Sequence, residues 1–298
     1  LGSTLFAGTA AQIFDSAIFR EEEPYPQDLY YISQPVIRLQ GESNVGAIGG
    51  FSTSFVNLAT EQMGASLDNH IGHIEKWLDV LSSLGIFVRD LTLKVKVDKN
   101  DWGRVTPEAL TIKINYMGLE LGVANYFTGI EQKTRNPLII SDLSFGLERI
   151  TWAVNKTVSY YDVIGPLNVS ALGKDIEMDC YRTMVLMVGF GVKPSNRDRG
   201  SKVRMLAKKI SAPTQNIQEN LIRYYHRWWE RFNRLPISRD ETVDIIVGEL
   251  HRNINLDIRL KVGGSESLPI NLETNEFVDS LIRSGIRIEK IRKAIKGE

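Results

Sequence analysis

An α+β domain followed by an all-α domain is the architecture predicted for this chain of 298 residues, and three observations predict it. The first is order: segments with strand-like alternation fill the first half, and helical periodicity takes over after Ser144 and runs to the end. The second is size, since at this length and 43% hydrophobic residues the chain can bury two ordinary cores. The third is a break at residues 160–175, where Gly165-Pro166 and Gly173 interrupt the periodicity, so that the domains run 1–165 and 166–298.

The elements follow in order. Residues 30–39 alternate loosely and include Val36 and Ile37, which suits a strand; 41–50 reads as a glycine-rich turn, and a second strand at 52–58 closes an antiparallel hairpin. Residues 70–84 have helical spacing through Ile71, Ile74, Trp77, Leu78 and Leu81, with Gly85 as the C-terminal stop. Segments 91–97 and 110–116 alternate apolar with polar residues and read as strands with one solvated face; 119–127 and 137–141 are further strand candidates. Residues 146–154 lead into the helical half, which continues through 178–188, 202–210, 216–232, 239–253 and 273–296.

The net charge of zero hides an asymmetry. Residues 1–150 carry 12 Lys and Arg against 18 Asp and Glu, and residues 151–298 carry 24 against 18, so the halves stand at −6 and +6. A basic half suits a polyanion partner, and a solvated helical surface accounts for it equally. The single cysteine, Cys180, excludes an internal disulfide and a multi-cysteine metal site and fits a reducing compartment. His70 and His73 have no companion ligands, which speaks against zinc. No apolar run of about 18 residues is present, and no basic segment precedes the short apolar stretch at the start, so a cytoplasmic protein without a membrane span is expected.

Three stretches in order then bring a family into view. Phe145-Gly146-Leu147-Glu148-Arg149 looks like the third signature motif of class II aminoacyl-tRNA synthetases. Tyr31-Ile32-Ser33-Gln34-Pro35-Val36-Ile37-Arg38-Leu39 is similar to the strand opening motif two in alanyl-tRNA synthetases, archaeal forms most of all. Gly191-Val192-Lys193-Pro194-Ser195-Asn196-Arg197-Asp198-Arg199-Gly200 resembles a turn in their helical domain. Ser3-Thr4-Leu5-Phe6-Ala7-Gly8 resembles the end of motif one, and Gly118-Leu119-Glu120-Leu121 the strand before motif three, so the likeness covers residues 3–210.

The resemblance implies a class II antiparallel sheet flanked by helices, followed by an all-α tRNA-recognition domain, with no editing domain and without the helix that precedes motif one. It implies ATP and Mg²⁺ as cofactors and a small amino acid and tRNA, through the acceptor stem of tRNA(Ala), as partners. Carried over residue by residue, Arg38 would contact the α-phosphate, Arg149 the γ-phosphate or the adenine face, and Phe55 would stack on adenine. Guanidinium groups suit this because they are always charged and grip phosphate oxygens bidentately. Asp142 would pair with the ammonium of alanine. Asn196 would read the G·U pair of the stem, with Arg197, Arg199, Lys202 and Arg204 on its phosphates.

Plainer readings stand beside these. Arg149 after Glu148 suits a surface ion pair, Asp142 a helix N-cap, Phe55 a core position, and Asn196 beside Pro194 and Gly200 a turn. The sequence also departs from the family. Gly46-Ala47-Ile48-Gly49-Gly50-Phe51 and Phe55-Val56-Asn57 stand where the family carries two arginines, a histidine and a glutamate, and 101–107 replaces its glycine-rich pocket loop. Asp179-Cys180 replaces an Asp-His. Each lost charge-assisted bond is worth about 1.5–3 kcal/mol. Three expectations follow: an activating enzyme that loads tRNA, a degenerate paralogue that binds RNA or protein, or activation with a non-tRNA acceptor. Replacing Arg149 by Ala is expected to abolish the ATP-dependent reaction and leave the fold intact.

Overall fold

A computed structural model describes residues 6–14, 17, 26, 28–99, 106–131, 139–166, 175–210 and 215–296. The chain divides into two compact units, Leu1–Ser170 and Ala171–Glu298.

The first unit is built on a six-stranded sheet in the order β1-β2-β6-β5-β4-β3, every pairing antiparallel. Its strands are β1 (Leu29–Ile37), β2 (Ser54–Met63), β3 (Leu91–Lys99), β4 (Thr106–Tyr116), β5 (Leu119–Glu131) and β6 (Ile140–Gly146). The β1–β2 hairpin forms as expected, and between its strands a short 3-10 helix (Leu39–Asn44) and turns fill the glycine-rich stretch. One expectation is displaced: β6 extends to Gly146, so Phe145 and Gly146 end a strand and helix α2 (Leu147–Asn155) begins at Leu147. The reason is alternation. Ser141, Leu143 and Phe145 point to one face of the sheet, Asp142 and Ser144 to the other.

The first face is covered by α1 (Leu67–Ser83). Ser66 and Asn69 form a reciprocal capping box, which starts the helix three residues before its expected start at 70, and Gly85 closes it at φ +87°. Trp77 stacks on Phe145 with ring centroids 4.1 Å apart, and its indole N–H donates to Thr60 Oγ1 at 2.9 Å. Leu81, Ile114, Leu121, Leu143, Phe145 and Ile150 make the core beneath. A short helix α3 (Tyr161–Ile164) follows α2.

Among the described residues, the regular structure of the second unit is helical: α4 (Asp175–Gly189), α5 (Asp198–Ala207), α6 (Gln215–Trp229), α7 (Arg239–Val262), α8 (Thr274–Arg283) and α9 (Ile288–Lys296). Helix α4 is buried along nearly its whole length. Helix α7 outruns its expected end at 253 and closes on Gly263 in the left-handed region. The single helix expected at 273–296 is two, because Gly285 at φ +88° turns the chain while the Gly285 and Ile286 N–H groups cap back to Ile282 and Leu281. Phe277, Leu281 and Ile291 then pack with Ile258 and Val262 as one cluster.

Candidate active site

The face of the sheet opposite α1 opens into a cavity of about 460 Å³ whose wall includes Arg38, Phe55 and Arg149. Arg38 leaves the end of β1, where its Nε–H donates to the Gly8 carbonyl at 2.7 Å and its guanidinium lies 5.1 Å from the Phe55 ring centroid. Phe55 comes from the neighbouring strand, one step from Ile37 in the β1–β2 register. Loss of solvent lowers the Arg38 pKa from its usual value; the Asp142 charge opposes that shift and the Arg149 charge adds to it.

Arg149 arrives from the first turn of α2. Its Nε–H donates to the Gly50 carbonyl and an Nη1–H to the Glu120 carbonyl, both at 2.9 Å, and its guanidinium lies 5.4 Å from the Phe51 ring. Glu148 does not pair with it. The Glu148 carboxylate is buried and accepts the Val56 N–H at 3.1 and 3.0 Å. The Glu-Arg pair therefore divides: the acid fastens α2 to β2, and the base ties α2 to β5 and to the loop before β2.

Asp142 is not on the cavity wall, where Asn57 and Ser144 stand instead. Nor is it an N-cap: it lies inside β6, and Gly146 caps α2 without a side-chain bond. Its carboxylate accepts from Ser144 Oγ at 2.9 Å and from Asn125 Nδ2 at 3.1 Å. Register makes it part of a row crossing the sheet, Tyr30–Glu61–Asp142–Asn125–Thr111. Glu61 was not singled out by the sequence, where the expected strand ended at 58; β2 runs on to Met63 and carries it into the sheet. It is fully buried, and burial first and the Asp142 charge second push its pKa well above the usual carboxyl range.

The loop that departs from the family is closely packed. A Cβ on Gly49 would meet Trp152 at 2.7 Å, and one on Gly50, whose φ is +78°, would meet Leu119 at 2.7 Å. Residues 3–5 of the motif-one stretch and 101–105 of the divergent pocket segment lie outside the described residues. On the other face of the sheet, His70 Nδ1 and His73 Nδ1 both reach Ser141 Oγ, at 2.8 and 3.1 Å. Burial, aided by His73, lowers the His70 pKa to about 4. Among the described residues no three His, Cys, Asp or Glu side chains are grouped to hold a metal ion.

In the helical unit, Gly200 lets the turn close: a Cβ there would fall 2.4 Å from the Lys193 carbonyl. Arg197 and Arg199 are exposed, and Lys202 is half-buried. Asn196 is exposed too, with its Oδ1 accepting from Arg204 Nη1. Arg204 also pairs with the buried Glu249 at 3.4 Å, which anchors α5 to α7.

No protein-family model matches the chain. It is similar to archaeal alanine–tRNA ligases. With that of Methanocorpusculum labreanum it is 30% identical over 161 residues, 48% of this chain and 17% of the relative. With that of Methanoregula boonei it is 26% identical over 225 residues, 67% of this chain and 24% of the relative. The chain thus spans about a fifth of the length of these curated relatives. Among solved structures, pyrrolysyl-tRNA synthetase from Desulfitobacterium hafniense aligns at a TM-score of 0.35 and 17% identity, over 52% of this chain and 50% of that one. No helix of the described residues is long and apolar enough to cross a membrane.

Proposed function

We propose that the first unit activates a small amino acid with ATP, and that the chain transfers the aminoacyl group to tRNA, with the helical unit meeting the acceptor stem. The observation that carries this reading is the meeting of Arg38 and Arg149 on one cavity wall, each guanidinium close to a phenylalanine ring. In activation the amino-acid carboxylate attacks the α-phosphorus of ATP and pyrophosphate leaves, so the site must bring two anions together while charge grows on the leaving group. Arg38 would hold the α-phosphate and Arg149 the γ-phosphate, their charge placed in advance by bonds to Gly8, Gly50 and Glu120. The Phe55 or Phe51 ring would take the adenine face.

The donor set fits Mg²⁺ carried on the nucleotide. Glu120, the wall carboxylate that Lys113 and Arg149 face, would help hold such an ion once phosphate has taken those two cations from it. Nucleotide-borne Mg²⁺ is ordinarily held by one or two carboxylates together with phosphates. Bound there, it would neutralise phosphate charge. Asp142 would receive the substrate ammonium only if Ser144 Oγ gave up its bond to Oδ1. In the helical unit, Asn196, Arg197, Arg199, Lys202 and Arg204 remain the proposed tRNA contacts; binding that falls steeply with salt supports them.

A second reading, nucleic-acid binding without turnover, draws on the packing of Gly49 and Gly50 against Trp152 and Leu119, which leaves that loop without charge. ATP–pyrophosphate exchange with alanine, glycine and serine, each with and without tRNA, separates the two. Exchange that depends on one amino acid supports activation and names the substrate; no exchange from folded, tRNA-binding protein refutes it in favour of the second reading.

A further inference from the structure

The cavity wall carries a third cation. Lys113 projects from β4 into it, and its Nζ donates to Glu120 Oε2 at 2.7 Å. The other Glu120 oxygen lies 3.9 Å from Arg149 Nη1. One carboxylate therefore stands between a lysine and an arginine, holding them at a spacing that two oxygens of a phosphate can also bridge. The remaining acid on the wall, Glu148, is turned to the Val56 N–H and does not compete.

Two further observations point the same way. Across the β3–β4 pair Lys94 stands directly opposite Lys113, so the positive charge on this side of the sheet exceeds what the Glu120 carboxylate alone offsets. The charge lost from residues 46–51 has no room to return at Gly49 or Gly50, where Trp152 and Leu119 fill the space a side chain would need. A cation that reaches the cavity from β4 supplies it from another direction.

We infer that Lys113 is a phosphate-binding residue of this cavity: a phosphate of a nucleoside triphosphate displaces the Glu120 carboxylate and takes its place between Lys113 and Arg149. The inference rests on the nucleotide reading above and adds a residue to it. Glu120 is then an internal competitor, which keeps the two cations apart and neutralised while the cavity is empty.

The test is calorimetric titration of the full chain with ATP and with tripolyphosphate, both in EDTA so that no metal bridges to Glu120. Lys113→Met is expected to bind both about ten-fold more weakly, the low end for loss of one charge-assisted bond at a half-open site. Lys113→Arg should stay within about three-fold of the unaltered chain, since charge and reach persist. Glu120→Gln should bind at least as tightly, because the competitor has gone. If Lys113→Met binds as the unaltered chain does, the inference falls and the nucleotide reading stands. If Lys113→Met and Glu120→Gln weaken binding alike, the pair is a structural brace and the inference also falls. No binding by the unaltered chain overturns the inference and the nucleotide reading together. Should Lys113→Met fail to fold, Lys113→Gln takes its place, with the same ten-fold weakening expected and unaltered binding overturning the inference.

Discussion

Arg149→Ala tests whether one side chain serves both fold and chemistry. Arg149 holds the carbonyls of Gly50 and Glu120, which tie α2 to the loop before β2 and to β5. A hydrogen bond from a charged donor contributes about 1.5–3 kcal/mol, and with 26% of the side chain open to water the lower end applies, so the two together come to about 3 kcal/mol. In a unit of this size each kcal/mol moves the melting temperature by roughly 2–4 °C, which gives a fall of about 6–12 °C. Loss of a positioned donor should also slow pyrophosphate exchange by about 10²–10³. The variant is therefore expected to keep its fold, as the sequence reading has it, and to melt early. Calorimetric melting and exchange, measured on the same preparation below its melting point, check both halves. Arg149→Lys keeps the charge without the fork, so it should melt early and retain part of the exchange. An unaltered melting temperature refutes the anchoring argument; unaltered exchange in folded protein refutes the phosphate role.

Two predictions concern pH. His70 has a folded pKa of about 4, below its unfolded value near 6.5, so its contribution to stability is whole above about pH 6.5 and is lost as pH falls toward 4. That loss reaches about 3 kcal/mol, and denaturant titrations at pH 4.5 and 7 should show a shallower acid slope in His70→Gln; equal slopes would count against the buried neutral histidine. Glu61 runs the other way, because its raised pKa favours the protonated fold and stability drains as pH rises from the ordinary carboxyl range through the folded pKa. Glu61→Gln should match the native chain at pH 4 and exceed it by about 1–3 kcal/mol at pH 8, and a variant less stable at pH 8 would show that the ionised carboxyl is needed.

Strands β1 through β5 overlap the segments where period-two alternation placed them, because that alternation is a local signal, although β2 runs past its expected end at 58 and β4 starts before 110. The one-sided burial expected of 91–97 is not found: β3 is the edge strand and is open on both faces, with Leu93, Val95 and Val97 exposed, because none of the described elements covers the sheet there. The β6–α2 junction was not legible, since Asp142-Leu143-Ser144-Phe145 is too short to distinguish the end of a strand from the start of a helix. The break between α8 and α9 was hidden for a related reason: apolar spacing continues through Gly285, and only its positive φ ends the helix.

At the cavity the sequence brought forward Arg38, Phe55 and Arg149 but not Lys113 and Glu120. Those two meet because β4 and β5 form a hairpin whose register shifts between Ile114 and Asn115, so that Lys113 and Glu120 reach the same cavity across the bulge. No local pattern reports such a shift. Glu61 was equally silent, since its burial comes from long-range cover: Phe14 lies edge-on to Tyr30 at 5.0 Å, and Tyr30 is the cross-strand neighbour of Glu61. The residues that resemblance could carry over are those that sit in a recognisable local motif, even where, as for Arg38 and Arg149, the partners that hold them come from distant segments. Those that must be read from the fold are set by strand order, and they bear on the question the eroded loop raises. If Lys113 makes good the charge missing from residues 46–51, the cavity has kept its task by moving a cation from a loop to a strand. If it does not, Arg38 and Arg149 face the whole triphosphate alone, and the pyrophosphate exchange rate should show it.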